Sequence, residues 1–173
     1  MVGCLRMKLT LSFALMACGS LLFGQSGQSA RPEPKFLELS REDIERLDQQ
    51  RALIVAVLKQ RYSATALTRT KKDLPILQKL LDDNVFSKSQ TYELQCLGVV
   101  FGDVLTSEFP LRWEMIEDEF GTDPTLRFKE KTSVNVNALT MISKRVERGE
   151  HVNLSWLVEK TRETLSKAEK RFQ

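Results

Sequence analysis

Leu111-Arg112-Trp113-Glu114-Met115 alternates apolar and charged side chains, and Leu126-Arg127-Phe128-Lys129 repeats the alternation after the turn Phe120-Gly121-Thr122-Asp123-Pro124. Period-two alternation marks strands with one buried face, and a Gly-Thr-Asp-Pro run is turn chemistry. Beyond Glu130-Lys131, Val134 and Val136 alternate with Ser133 and Asn135 as a third strand. Connections this short favour antiparallel pairing. On this reading Glu114 stands on the solvent face and pairs across the strands with Arg127 or Lys129. Everything on either side of the segment has helical periodicity, which puts the chain in the α+β class.

Upstream lie three expected helices. Ser40 with Asp43 forms a capping box, with Leu39 and Ile44 as its hydrophobic staple. Ile44, Leu47, Ile54, Val55, Leu58 and Tyr62 then recur at helical spacing. A second helix runs from Leu74 to Asp83, with Asp73 as its cap and Pro75 in its first turn. Ser87 and Gln90 start a third, with Leu94, Leu97, Phe101 and Leu105 inward, and Pro110 stops it near Glu108. Downstream lie two more. Asn137 caps a helix carrying Leu139, Met141, Ile142 and Val146 that ends at Gly149. Asn153 caps the last, whose stripe is Leu154, Val158, Leu165, Ala168 and Phe172, interrupted by Thr161. The expected order is helices, a three-stranded antiparallel meander, then two helices, in a single domain over residues 40–173. An extended lead-in, 31–39, precedes it, since Pro32 and Pro34 resist helix.

Residues 1–30 read differently. Arg6 and Lys8 come first with no acid, then the apolar run Leu9 to Phe23, then Gly24-Gln25-Ser26-Gly27-Gln28-Ser29-Ala30. A basic head, a short apolar body and a small-residue exit are the parts of a secretory signal peptide. The body falls short of the ~20 residues a spanning helix needs. Ordinary cleavage between Gly24 and Ala30 is the favoured exit. The alternative is Leu15-Met16-Ala17-Cys18, which resembles a lipobox and would anchor the chain by a lipid on Cys18, although Met16 is untypical there and Leu21-Leu22-Phe23 continues the apolar run. Either exit implies an exported protein, periplasmic or secreted in the first case and a lipoprotein in the second. Neither inserts the mature domain in the membrane.

Splitting the chain here changes its arithmetic. The 173 residues carry 26 Lys and Arg against 23 Asp and Glu. Two of the basic residues belong to the leader, so the rest of the chain is nearly neutral. No electrostatic case for nucleic acid remains. Cys4 and Cys18 also lie in the leader, so ordinary cleavage leaves Cys96 alone and excludes an intramolecular disulfide.

Four segments in order carry a resemblance. They are Leu97-Gly98-Val99-Val100-Phe101-Gly102-Asp103-Val104-Leu105, then Leu111-Arg112-Trp113, then Glu117-Asp118-Glu119-Phe120-Gly121, then Met141-Ile142-Ser143-Lys144-Arg145-Val146-Glu147-Arg148-Gly149-Glu150. Together they resemble the bacterial domain-of-unknown-function family numbered 3806, over roughly residues 75–158. The resemblance brings no established activity and implies no catalytic residues. It implies that Gly98, Gly102, Trp113 and Arg145 belong to one recurring constellation.

The residues themselves offer little reactive chemistry. Gly98 and Gly102 sit one helical turn apart, where each costs about 1 kcal/mol relative to alanine. Close approach of another backbone or of the Trp113 ring is the reason expected. Their helical spacing does not fit a phosphate-binding loop. His151, the single histidine, follows Gly149-Glu150 between two helices and reads as an exposed loop residue. One histidine and one distant cysteine make no zinc site, so no metal and no cofactor are expected. Cys96 reads as a buried structural thiol. Asp118, Glu119 and Asp123 read as a solvated turn without EF-hand spacing, and Arg145 as an internal partner of Glu117 or Asp118. The pattern as a whole describes a non-catalytic domain that binds an envelope protein, its functional surface carried by Trp113, Asp118, Gly121 and Arg145. A small hydrolase using the acidic turn with Arg145 or His151 is the rival. An immunity-type protein that binds a toxin is the third reading.

Overall fold

The computed structural model describes residues 33–63, 66–130 and 132–171. The leader with both of its exits lies outside the described residues, as does Phe172.

The elements, in chain order, are β1 (Lys35–Leu37), α1 (Arg41–Tyr62), a 3₁₀ turn (Lys71–Asp73), α2 (Leu74–Asp82) and α3 (Thr91–Glu108). Then follow β2 (Leu111–Asp118), β3 (Gly121–Phe128), β4 (Asn135–Val136), α4 (Ala138–Met141), α5 (Ser143–Glu147) and α6 (Leu154–Glu169). The class is α+β, and the sheet is antiparallel with order β1-β2-β3-β4.

The sheet has four strands rather than three. The segment read as a lead-in pairs with β2 along Lys35↔Glu117, Phe36↔Ile116 and Leu37↔Met115. The two prolines excluded helix but not an edge strand, where proline is tolerated. Two further contacts hold β1 in place. The Arg127 guanidinium lies 4.4 Å from the centre of the Phe36 ring, and Lys35 reaches Glu117 at 3.2 Å.

α3 is the centre of the fold. Leu94 and every residue from Cys96 to Leu105 are buried. The sequence reading gave this helix one inward face. A helix apolar nearly all round is instead enclosed, here by α1, α2, α4, α5 and β2. The two glycines make that enclosure possible. A Cβ at Gly98 would stand 2.5 Å from the Leu139 carbonyl oxygen and 2.6 Å from that of Ala138. One at Gly102 would stand 2.3 Å from Cζ2 of Trp113.

Local signals act as expected at several ends. Ser40 and Asp43 form both halves of the capping box. Asn137 and Asn153 accept from Thr140 N and Trp156 N. Gly149 sits in the left-handed region at φ 73°. Four expectations need correction. Ile44 is 47% exposed, and Gln50 takes a buried place on α1 in its stead. Asp73 does not cap α2, because its carboxylate accepts from Thr68 N, Thr68 Oγ1 and Arg69 N and thereby holds the preceding loop. Thr161 does not interrupt the α6 stripe, since its hydroxyl donates to the Leu157 carbonyl and the side chain is buried. The helix expected from Asn137 to Gly149 is two short helices that part at Ile142.

The largest correction concerns Glu114. It is 3% exposed, not solvated. Arg112 Nε donates to its Oε1 at 2.9 Å and Arg127 Nη1 to its Oε2 at 3.2 Å. Thr125 beside it is fully buried, and the Arg127 Nε bonds the Thr132 carbonyl. On this side of the sheet the guanidinium heads of Arg112 and Arg127 thus converge on Glu114.

Candidate functional site

The residues singled out from the sequence do not converge. Trp113 is half-buried, with its indole Nε1 donating to Asp103 Oδ1 at 3.0 Å. Asp118 and Gly121 face each other at the exposed tip of the β2–β3 hairpin, and Asp118 accepts from Phe120 N at 2.8 Å. Gly121 there has φ 131° and open space around it. Arg145 sits elsewhere, on α5, and donates to the Met141 carbonyl at 2.6 Å. It does not bind the hairpin acids, since Glu117 pairs with Lys35 and Asp118 with its own turn. Cys96 is fully buried, and burial pushes its thiol up to about 11.

A different site is built where two helices end. α2 closes with Asn84 in the left-handed region, φ 49°, and with Val85 N on the Leu80 carbonyl. α5 closes at Gly149, with Glu150 N on the Arg145 carbonyl. The two connections, α2–α3 and α5–α6, line an open cleft of about 820 Å³. Its floor is apolar, from Leu81, Phe86, Val146 and Val152. Its rim is polar, from Asp82, Asn84, Ser87, Lys88, Gly149, Glu150 and His151. A volume of this size lies within the ~300–1,000 Å³ usual for ligand sites.

One side chain sets the geometry of the cleft. The Gln78 carboxamide donates to the Val152 carbonyl and accepts from Leu154 N, both at 2.9 Å. It thereby clamps the α5–α6 connection onto α2. Its nitrogen also donates to Asp82 Oδ1 at 2.8 Å. His151, 80% exposed, stands with Nε2 4.0 Å from the same oxygen. Glu150 is held ionised below the usual carboxylate range by its hydrogen bond with Arg148, 2.6 Å away. Close by, Tyr62 donates to Asp83 at 2.6 Å. Burial, then Asp83, pushes the phenol up to about 12.

A second, smaller hollow of about 160 Å³ lies against Arg112, Glu114, Arg127 and Lys129. Its arginines are already committed to Glu114. Among the described residues, no cluster of three or more His, Cys, Asp and Glu is arranged to hold a metal ion. Among them, too, no helix is long and apolar enough to cross a membrane.

Of the cleft rim only His151 is a functional candidate in the sequence, whereas Asp82, and the Gln78 that bonds it, are not. Asp82 carried a readable signal, an acid in the last turn of a helix, where carboxylates are disfavoured. Gln78 carried none, because its partners are backbone atoms of a segment more than seventy residues away.

Residues 73–157 match the family model described as "Domain of unknown function (DUF3806)". Residues 73–157 are thus a DUF3806 segment of this chain. Every residue lining the large cleft, from Leu81 to Val152, falls inside the DUF3806 segment. So do Gly98, Gly102, Trp113 and Arg145. α1 lies outside it, and Arg51 ties that helix to the segment through Asp103. A crystal structure of a protein from Bacteroides thetaiotaomicron VPI-5482 is similar to this chain, with a TM-score of 0.67 at 16% identity. The similarity covers 78% of this chain and 49% of that one, so the chain spans about half the length of its neighbour. At that identity the likeness is one of fold. No curated protein matches the chain.

Proposed function

We propose that the protein is an exported, non-catalytic domain that works by binding an envelope protein, with the cleft at the ends of α2 and α5 as its docking site. The observation that carries this reading is the cleft itself, an apolar floor within a polar rim, formed wholly inside the family segment. Export rests on the leader pattern of residues 1–30.

The hydrolase reading has one observation in its favour, that Ser87, His151 and Asp82 line the same cleft. The Ser87 hydroxyl is engaged with Ser89 at 3.0 Å, however, and the 4.0 Å between His151 and Asp82 exceeds a hydrogen bond. A nucleophile held by a base, and a base held by an acid, are both missing from this arrangement. Asp118 and Arg145, the acidic-turn partners of that reading, do not line the cleft.

The test is capture of partners from envelope extract by the purified protein, run beside Ser87→Trp, which adds bulk at the rim. Specific recovery by the wild type, lost in the tryptophan variant and kept in Ser87→Ala, supports the reading. Labelling of Ser87 by a serine-directed phosphonate, or turnover in a hydrolase screen without partner capture, overturns it.

A further inference from the structure

Asp82 is the carboxylate of the cleft rim that has no lysine or arginine partner among the described residues. The carbonyl end of a helix is its negative end, and a carboxylate there is disfavoured. α2 ends with two, Asp82 and Asp83. Asp83 is offset, because Lys79 reaches it at 2.8 Å and the Tyr62 hydroxyl at 2.6 Å. Among the described residues Asp82 has only the neutral carboxamide of Gln78 and, at 4.0 Å, His151. The second carboxylate of the rim, Glu150, already has Arg148. The ammonium in the lining, Lys88, is exposed as Asp82 is, and the two form no ion pair. Breaking a local rule without compensation is a mark of a functional position.

From this we infer that the cleft takes a segment of the partner protein bearing a lysine or arginine next to an apolar side chain, with the cation seated on Asp82. The inference rests on the reading of the cleft as the docking site. An amphipathic stem suits the arrangement, since its methylenes cover Leu81, Phe86, Val146 and Val152 while its charged head reaches the rim. The head supplies a cation to Asp82, as Lys79 does to Asp83. Gln78 holds the site ready, because its carboxamide fixes the Val152 segment and Asp82 Oδ1 at once.

The test uses the chain as purified after expression with its own leader. Acetylated and amidated Leu-Lys-Leu is titrated into it at low salt, beside the same peptide with norleucine or glutamate in place of lysine. The backbone amide shifts of Phe86, Gly149 and Val152 report binding. The lysine peptide is expected to bind about two- to fivefold tighter than the norleucine peptide, the difference a partly exposed ion pair makes. Added salt narrows that gap and Asp82→Asn removes it. Equal binding of norleucine, tighter binding of glutamate, or a preference for lysine that survives Asp82→Asn overturns the inference while leaving the cleft as a docking site. If none of the three peptides moves these amides, the inference and the cleft reading fall together.

Discussion

Trp113 Nε1 donates to Asp103 Oδ1 at 3.0 Å, and the edge of the same ring occupies the notch at Gly102 one residue earlier on α3. Asp103 is also gripped by Arg51, Nε to Oδ2 and Nη2 to Oδ1, both at 2.7 Å. One carboxylate on α3 therefore joins α1 to β2. With side-chain exposures of 13% and 6%, the Arg51–Asp103 pair is close to buried, and deleting one partner of a buried pair costs about 3–5 kcal/mol. Asp103→Asn is expected to lower stability toward that range in urea unfolding. Trp113→Phe, which leaves the ion pair intact but removes the hydrogen bond and the ring edge packed at Gly102, is expected to lower it by about 1–2 kcal/mol.

The glycines separate by what they face. Gly98 faces backbone carbonyls of Ala138 and Leu139, whereas Gly102 mainly faces the rim of a half-buried ring. Overpacking costs about 1–3 kcal/mol, against the ~1 kcal/mol that alanine returns to a helix. Gly98→Ala should therefore destabilise clearly, because the α4 backbone has to move. Gly102→Ala should destabilise less, since the indole can swing. Equal melting temperatures for the two variants would contradict this packing.

Glu114 distinguishes the sheet read from the sequence from the sheet observed. A solvated cross-strand pair is worth at most about 1 kcal/mol. A carboxylate 3% exposed is worth more to keep, because removing it leaves the largely covered Arg127 without its ion pair, while Arg112 keeps Glu130 and solvent. Glu114→Gln is expected to cost about 1.5–3 kcal/mol in urea unfolding.

Asp82→Asn is expected to act in the opposite direction. Removing a 53% exposed carboxylate from the end of α2 should raise stability by about 0.3–1 kcal/mol at low ionic strength, and less in high salt. Thermal melts at two salt concentrations check it.

Alkaline pH tests the burial of Cys96. The folded thiol titrates near 11, against 9.0 for a free thiol, chiefly through burial. Below pH 9 both states hold the proton and the contribution is complete. As pH rises from 9 toward 11 the unfolded chain loses its proton first, so stability falls across that window. The difference in unfolding free energy between wild type and Cys96→Ala should change with this slope. In the native state Cys96 should resist alkylating reagents that label it readily in urea.

Much of the architecture was legible because its causes are local. The capping box at Ser40 and Asp43, the asparagine caps at 137 and 153, and the left-handed Gly149 each depend on a few neighbouring residues. The strand alternation at 111–115 and 126–128 depends only on which side chains water excludes. Asp73 and Thr161 depart from the sequence reading over four or five residues, but the errors that change the sheet involve more distant contacts. β1 exists because β2 offers it an edge. Glu114 is buried because Arg112 and Arg127 fold over it. The candidate surface of Trp113, Asp118, Gly121 and Arg145 was assembled from adjacency in a motif, and the folded chain keeps Asp118 beside Gly121 but sets Trp113 and Arg145 among other neighbours.

Taken alone, the sequence determined the α+β class, the DUF3806 segment, several of the helix ends and a core helix notched by two glycines. These follow from periodicity, capping and chain stiffness, which act over one or two turns. Only the tertiary structure decided that α3 is enclosed on all sides, that Asp103 joins three elements, and that α2 and α5 end around a shared cleft. Those features need residues tens of positions apart to meet, as Gln78 meets Val152 and Leu154, and no local pattern encodes which backbone a side-chain amide will find.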